Sequence, residues 1–221
     1  MACEINLKNG GSMSRLFTFL LCSVSFSQIY NNQQYFQITD TTALIIEQGD
    51  ITKCHVDAIV NAANDGLAGG AGVCGAIFSA AGWNELQAAC NEYPANIGIR
   101  CPVGQTVITD SFNLKSNGIK YIIHAVGPDC RIIKDENQQN LLLEQAYLNS
   151  LVLADKNNIK SIAFPFISSA IYAFPKERAA NIALQTVLDY IKNTKTNIKS
   201  IHFVLFSDKD FDIFCKISNY L

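Results

Sequence analysis

The sequence predicts an α/β fold of three layers, α/β/α, in which helices cover both faces of a central mixed, mostly parallel sheet. From about Ala43 onward, short apolar runs of strand length alternate with longer stretches of helical spacing. Glycine and proline punctuate the joins, and this alternation packs helices onto a sheet. With 221 residues, 49% of them hydrophobic, there is material for one generous domain, or one domain with an extension.

Taken in order, Gln28 to Thr42 is rich in Asn, Gln and Thr and reads as a connector. Ala43-Leu-Ile-Ile-Glu47 and Asp57-Ala-Ile-Val-Asn61 read as strands, the second short and buried. A glycine-rich loop follows, then a helix over 73–81 that ends at Gly82. Gly104 to Thr109 and Tyr121 to Val126 read as strands, and Gln138 to Lys156 repeats apolar residues at helical spacing. Ser161 to Phe166 is a further strand, and Pro175 suits the first residue of a helix reaching about Ile191. Ile201 to Phe206 is the last strand and Phe211 to Tyr220 the last helix. The division expected is an N-terminal extension over 1–40 and a domain over 41–221.

Charge and cysteine usage narrow the function classes. A formal net charge of −2, with no cluster of Lys and Arg, argues against binding nucleic acid through a basic surface. An anion would have to be held by backbone N–H groups and a helix N-terminus. The eight cysteines include no CxxC pair and no histidine at ligand spacing, so neither a disulfide framework nor a metal site is expected. They read as small buried hydrophobes in a cytoplasmic protein. Met13 to Ser27, with one basic residue, an apolar run and a small-residue tail, has the look of a signal peptide if translation starts at Met13. Export is therefore the alternative localisation, although the favoured reading is an element packed on the domain. The run is too short for a stable membrane span.

Three loops that follow strands carry the chemistry. Gly49-Asp50-Ile51-Thr52 puts a carboxylate at a strand end, where it could accept from an exocyclic amine or cap its own turn. The stretch after Asn61-Ala-Ala-Asn64 holds Gly66, Gly69, Gly70, Gly72 and Gly75, and opens into a helix; a flexible backbone under a positive helix end suits a diphosphate. Gly70-x-Gly72-x-x-Gly75 matches the dinucleotide fingerprint, but the preceding strand stops too early, near Asn61, for that fold. The third loop, Phe166-Ile-Ser168-Ser169-Ala-Ile-Tyr172-Ala-Phe174-Pro175, offers small polar residues, then two aromatics, before a helix start. It could wrap a phosphate and stack on a sugar, or simply connect a strand to a helix.

Together with Ile123-His-Ala-Val-Gly-Pro128 and Leu143 to Ser150, these loops make the chain from about Ala43 resemble the macrodomain family. The likeness is to its MacroD-type branch of O-acetyl-ADP-ribose deacetylases and ADP-ribosyl hydrolases. The resemblance implies that Asp50 and Ile51 hold adenine and that Asn64 binds the distal ribose and places a water. It implies that Gly70, Gly72, Val73 and Gly75 cradle one phosphate, and that Ser168, Ser169, Ala170, Ile171 and Tyr172 cradle the other, with Phe174 near the distal ribose. His124 reads as a satisfied core residue. No cofactor or metal is implied, and the partner is ADP-ribose or an ADP-ribosylated protein met by a monomer.

Two departures from the family pattern bear on activity. Cys74 stands where the branch carries an Asp thought to position the hydrolytic water, and a neutral thiol is a poor base. Ala170 and Ala173 replace the glycines of the second phosphate loop. The expected function is hydrolysis of ester-linked ADP-ribose, with Asn64 and Cys74 as the candidate catalytic residues. The alternatives are a non-catalytic ADP-ribose reader and, for Cys74, a covalent nucleophile.

Overall fold

A computed structural model describes residues 29–30 and 32–219; the signal-like segment 13–27 and the cysteines Cys3 and Cys22 lie outside the described residues. Among the described residues eight strands form one sheet in the order β1-β2-β3-β8-β7-β4-β6-β5. They are β1 (Ile29–Tyr30), β2 (Gln33–Gln37), β3 (Ala43–Gln48), β4 (Ala58–Ala63), β5 (Thr106–Asp110), β6 (Tyr121–Val126), β7 (Ser161–Phe164) and β8 (Ser200–Leu205). The interior pairs β3–β8, β8–β7, β7–β4 and β4–β6 are parallel, while β1–β2, β2–β3 and β5–β6 at the margins are antiparallel.

Among the described residues five α-helices complete the layers: α1 (Gly72–Ala81), α2 (Trp83–Asn91), α3 (Glu136–Lys156), α4 (Lys176–Asn193) and α5 (Asp208–Ser218). Successive strand residues point to opposite faces, and the core divides accordingly. Val60, Phe164 and Phe203 pack with Tyr147 of α3, Leu184 of α4 and Phe214 of α5. Ile59, Ala163 and Val204 pack with Ile77 and Phe78 of α1 and Leu86 of α2 on the other side. A central parallel strand buried on both faces reads as a continuous apolar run, which is why Ala58-Ile-Val60 shows no alternation.

Several boundaries differ from those the sequence suggests. The polar stretch read as a connector contains β1 and β2, and β2 pairs along its whole length with β3. Its burial alternates, with Gln34 and Phe36 inward and Tyr35 and Gln37 outward. The buried Gln34 is tolerated because its side-chain oxygen accepts from the Ser218 hydroxyl of α5 at 3.0 Å. Helix α2 has no counterpart in the sequence reading; only Gly82, at φ 103, separates it from α1. Strand β4 continues to Ala63, past the expected stop at Asn61. Pro175 is the N-cap of α4 rather than its first residue. No helix among the described residues is long and apolar enough to cross a membrane. The six cysteines among them are free thiols.

Candidate functional site

Strands β4 and β7 are parallel neighbours, and the loops that leave their carboxyl ends enclose a cleft of ≈ 220 Å³. One wall is Asn64 and Gly70-Ala71-Gly72-Val73-Cys74; the other is Phe166, Ile167, Ser168, Ala170, Ile171 and Tyr172, with Ala62, Ala63 and Gly127 between them. Open α/β sheets hold their ligands at such strand ends.

The first wall is the N-terminus of α1. Ala71 occupies the N-cap position and offers no side-chain hydrogen bond, unlike Asp135 on α3 and Ser207 on α5. The first-turn N–H groups therefore lack a side-chain acceptor on the side that faces the cleft, and they carry the positive end of the helix dipole. Gly75 allows this turn to form: a methyl group there would lie 2.5 Å from the Gly70 carbonyl oxygen. Asn64 is fixed by its own loop. Its amide donates to the Ala68 carbonyl at 2.7 Å and its side-chain oxygen accepts from the Ala68 N–H at 3.0 Å. One amide hydrogen and one lone pair remain available.

The second wall is a strained turn. Ser168 and Ala173 both sit in the left-handed region, at φ 62 and 53. The turn is closed by Phe174 N–H to the Ser168 carbonyl and Ala173 N–H to the Ala170 carbonyl, each at 3.0 Å. Of the two alanines at family glycine positions, only Ala173 has the backbone that glycine favours. The Ser168 hydroxyl is buried at the cleft without a hydrogen-bond partner. It approaches Gly127 so closely that any side chain at Gly127 would collide with it.

Not every residue singled out from sequence reaches the cleft. Ser169 is buried behind it, its hydroxyl donating to the Phe166 carbonyl at 2.9 Å. Phe174 is a core residue, with the Arg178 guanidinium stacked 4.8 Å from its ring centre. Ile51 is buried under α1. Asp50 lies at the end of β3, where its carboxylate accepts from the Thr52 N–H at 2.9 Å and the Thr52 hydroxyl at 2.8 Å, so the turn-capping role is realised. Directly beside it, Gly49 N–H donates to the Leu205 carbonyl at the end of β8. The next residue, Phe206, is 84% exposed. The sequence does not single out Phe206, while Phe166 and Gly127 fall within the motifs named above without a site role. The sequence reads Phe206 as the last residue of the final strand, whereas that strand ends at Leu205.

Electrostatics decide the condition of the buried groups. The Cys74 thiol sits in the first turn of α1 and donates weakly to the Ala68 carbonyl at 3.9 Å. Burial pushes its pKa above the ordinary thiol value, and the Asn61 amide offsets this only partly. This environment favours the protonated thiol over the thiolate. His124 is fully buried, with Nδ1 3.1 Å from the Asn61 amide and Nε2 2.9 Å from the Thr109 hydroxyl. Burial lowers its pKa to about 4, so it is a neutral, satisfied core residue. No group of three or more His, Cys, Asp or Glu side chains among the described residues is placed to hold a metal ion.

The Macro domain family matches residues 60–183. A macro domain-containing protein of Caldanaerobacter subterraneus is 48% identical over 173 residues, which is 76% of this chain and 91% of that protein. An O-acetyl-ADP-ribose deacetylase of Escherichia fergusonii is 47% identical over 163 residues, covering 74% and 88%. Among solved structures, a mutant macrodomain of Oceanobacillus iheyensis with ADPR superimposes with a TM-score of 0.77 at 38% identity, covering 85% of this chain and 97% of that one. The family match and these identities agree with the order of the loops around the cleft. The chain belongs to the Macro domain family.

Proposed function

We propose that this protein binds ADP-ribose along the carboxyl edge of its sheet and hydrolyses an ester joined to the distal ribose. The observation that carries the reading is the uncapped N-terminus of α1 facing the Ser168–Tyr172 turn across one cleft, with Asn64 at its edge. Two sets of backbone N–H groups on opposite walls suit a diphosphate. Asp50 and Phe206 stand at the ends of β3 and β8. From β3 to β4 is three strand spacings, about 14 Å, so an extended ligand can touch both ends. Adenine would donate its amine to Asp50 and stack on the Phe206 ring, with the diphosphate between the walls and the distal ribose at Asn64. The deacetylase relative and the ADPR-bound neighbour support this ligand and this reaction.

In the reaction, water attacks the acyl carbonyl, the bond from acyl carbon to ribose oxygen breaks, and the ribose hydroxyl leaves with a proton. Carboxylic acid and ADP-ribose are the products. Asn64 uses its remaining N–H and lone pair to hold the ribose and orient the water. Cys74 stays neutral and forms part of the wall, so a ligand phosphate takes up the water's proton. A well-matched general base is typically worth about 10² to 10⁴ in rate, and slow turnover follows from a phosphate, a far weaker base than a carboxylate, in that role.

The protonated Cys74 also favours a second reading, a module that binds ADP-ribose without cleaving it. Calorimetry with ADP-ribose, followed by release of label from a protein mono-ADP-ribosylated on acidic residues, tests both. Binding with release supports the hydrolase; binding without release leaves the reader; no binding removes both.

A further inference from the structure

Between α2 and β5 the chain makes a small turn that none of the roles above uses. Asn96 and Ile99 exchange both backbone hydrogen bonds, at 2.9 and 3.0 Å, and Ile97 forms the tip. Ile97 is 96% exposed and sits at φ 50. A β-branched side chain is poorly suited to that region, and Asn or Gly would occupy it with less strain. Nothing in the core is gained in return, because the side chain stands in water.

Backbone hydrogen bonds tie the turn to Asp65, the residue after Asn64. Arg100 and Cys101 N–H groups both donate to the Asp65 carbonyl, at 2.8 and 3.0 Å. The Arg100 guanidinium donates to the Asn91 and Tyr93 carbonyls. A methyl group built on Gly66 would lie 3.4 Å from the Gly98 carbonyl oxygen and 3.5 Å from the Asn64 side-chain oxygen. The Gly98 carbonyl, one residue after the tip, and the Asn64 side chain therefore flank Gly66. A non-glycine residue held in a strained conformation beside a site points to a functional constraint there.

We propose that Ile97 is a specificity-determining residue that contacts the polypeptide to which ADP-ribose is esterified. The inference rests on the reading that Asn64 holds the distal ribose. An acetyl group is too short to extend past Asn64 to a side chain on the outer tip of this turn. A polypeptide joined through an Asp or Glu side chain continues outward and can cover it. Ile97 then favours protein esters over small acyl esters.

The test compares wild type, Ile97→Asn and Ile97→Gly, both of which suit the left-handed backbone, with Leu141→Asn on the exposed face of α3 as control. Each is assayed on a protein mono-ADP-ribosylated on acidic residues and on O-acetyl-ADP-ribose. Partial burial of one isoleucine predicts a fall of about tenfold in kcat/KM on the protein substrate for both Ile97 variants. The rate on O-acetyl-ADP-ribose should stay within about twofold, as should ADP-ribose affinity. Equal losses on the two substrates, or no loss on the protein, overturn the inference alone. A wild-type chain that fails to bind ADP-ribose overturns it together with the reading beneath it.

Discussion

The loop over 69–75 and the loop over 168–174 face each other across the cleft, yet only the first takes its shape from glycine. Gly72 at φ 62 and the close pass of Gly75 against the Gly70 carbonyl let the chain enter α1 with little strain. The second loop bends just as sharply through Ser168 and Ala173, both in the left-handed region. It is held there from behind by buried Ile167 and Phe174 and by the space left at Gly127. One loop is shaped by its own residues, the other by its surroundings. Substitutions in the first should therefore act on the ligand, and substitutions in the second on stability.

Gly75→Ala should produce the largest change. The methyl group must displace a backbone carbonyl, and loss of one or two N–H contacts to a phosphate corresponds to about a hundredfold in affinity. Calorimetry with ADP-ribose reads it directly; an affinity within threefold of wild type would mean that the first loop does not hold the ligand.

A smaller change separates binding from turnover. Cys74→Asp places a carboxylate in the first turn of α1 and should raise ester hydrolysis by about tenfold or more, with little gain in affinity. Burial raises the Cys74 pKa, so the wild-type rate should show no step attributable to a thiolate between about pH 6 and 8. A rate that climbs with pH in that window in wild type, and loses the climb in Cys74→Ser, would restore the thiolate mechanism.

The smallest effect belongs to the second loop. Ala173→Gly relieves the left-handed strain but frees the unfolded chain, so the net gain should be about 0.5–1 kcal/mol, or about 2 °C in Tm. Unchanged or lower stability would show that the surroundings, rather than the alanine itself, bear the strain.

What could be read from sequence follows the same division. The glycine-rich loop was legible because its composition has few other uses, and the alternation of apolar runs gave the layered fold. Asp50 left two roles open because a capping carboxylate and a ligand carboxylate look alike in sequence; its cap is visible only through the bonds to Thr52. Strand β2 was hidden by its glutamines, since Gln34 is buried only through its partner Ser218, 184 residues away. Helix α2 was hidden by Gly82, which ends one helix and starts the next. Ser168 and Phe174 belong to one motif, yet one lines the cleft and the other the core, a distinction set by the turn's backbone.

In the proposed reaction Asn64 holds the ribose and orients the water, so Asn64→Ala tests the proposal most directly. Release of ADP-ribose from a protein modified on acidic residues should proceed with wild type and fall by about 10² or more with the variant, while ADP-ribose affinity changes by less than about tenfold. Tight binding with no release by wild type, or release that Asn64→Ala leaves untouched, would contradict the account.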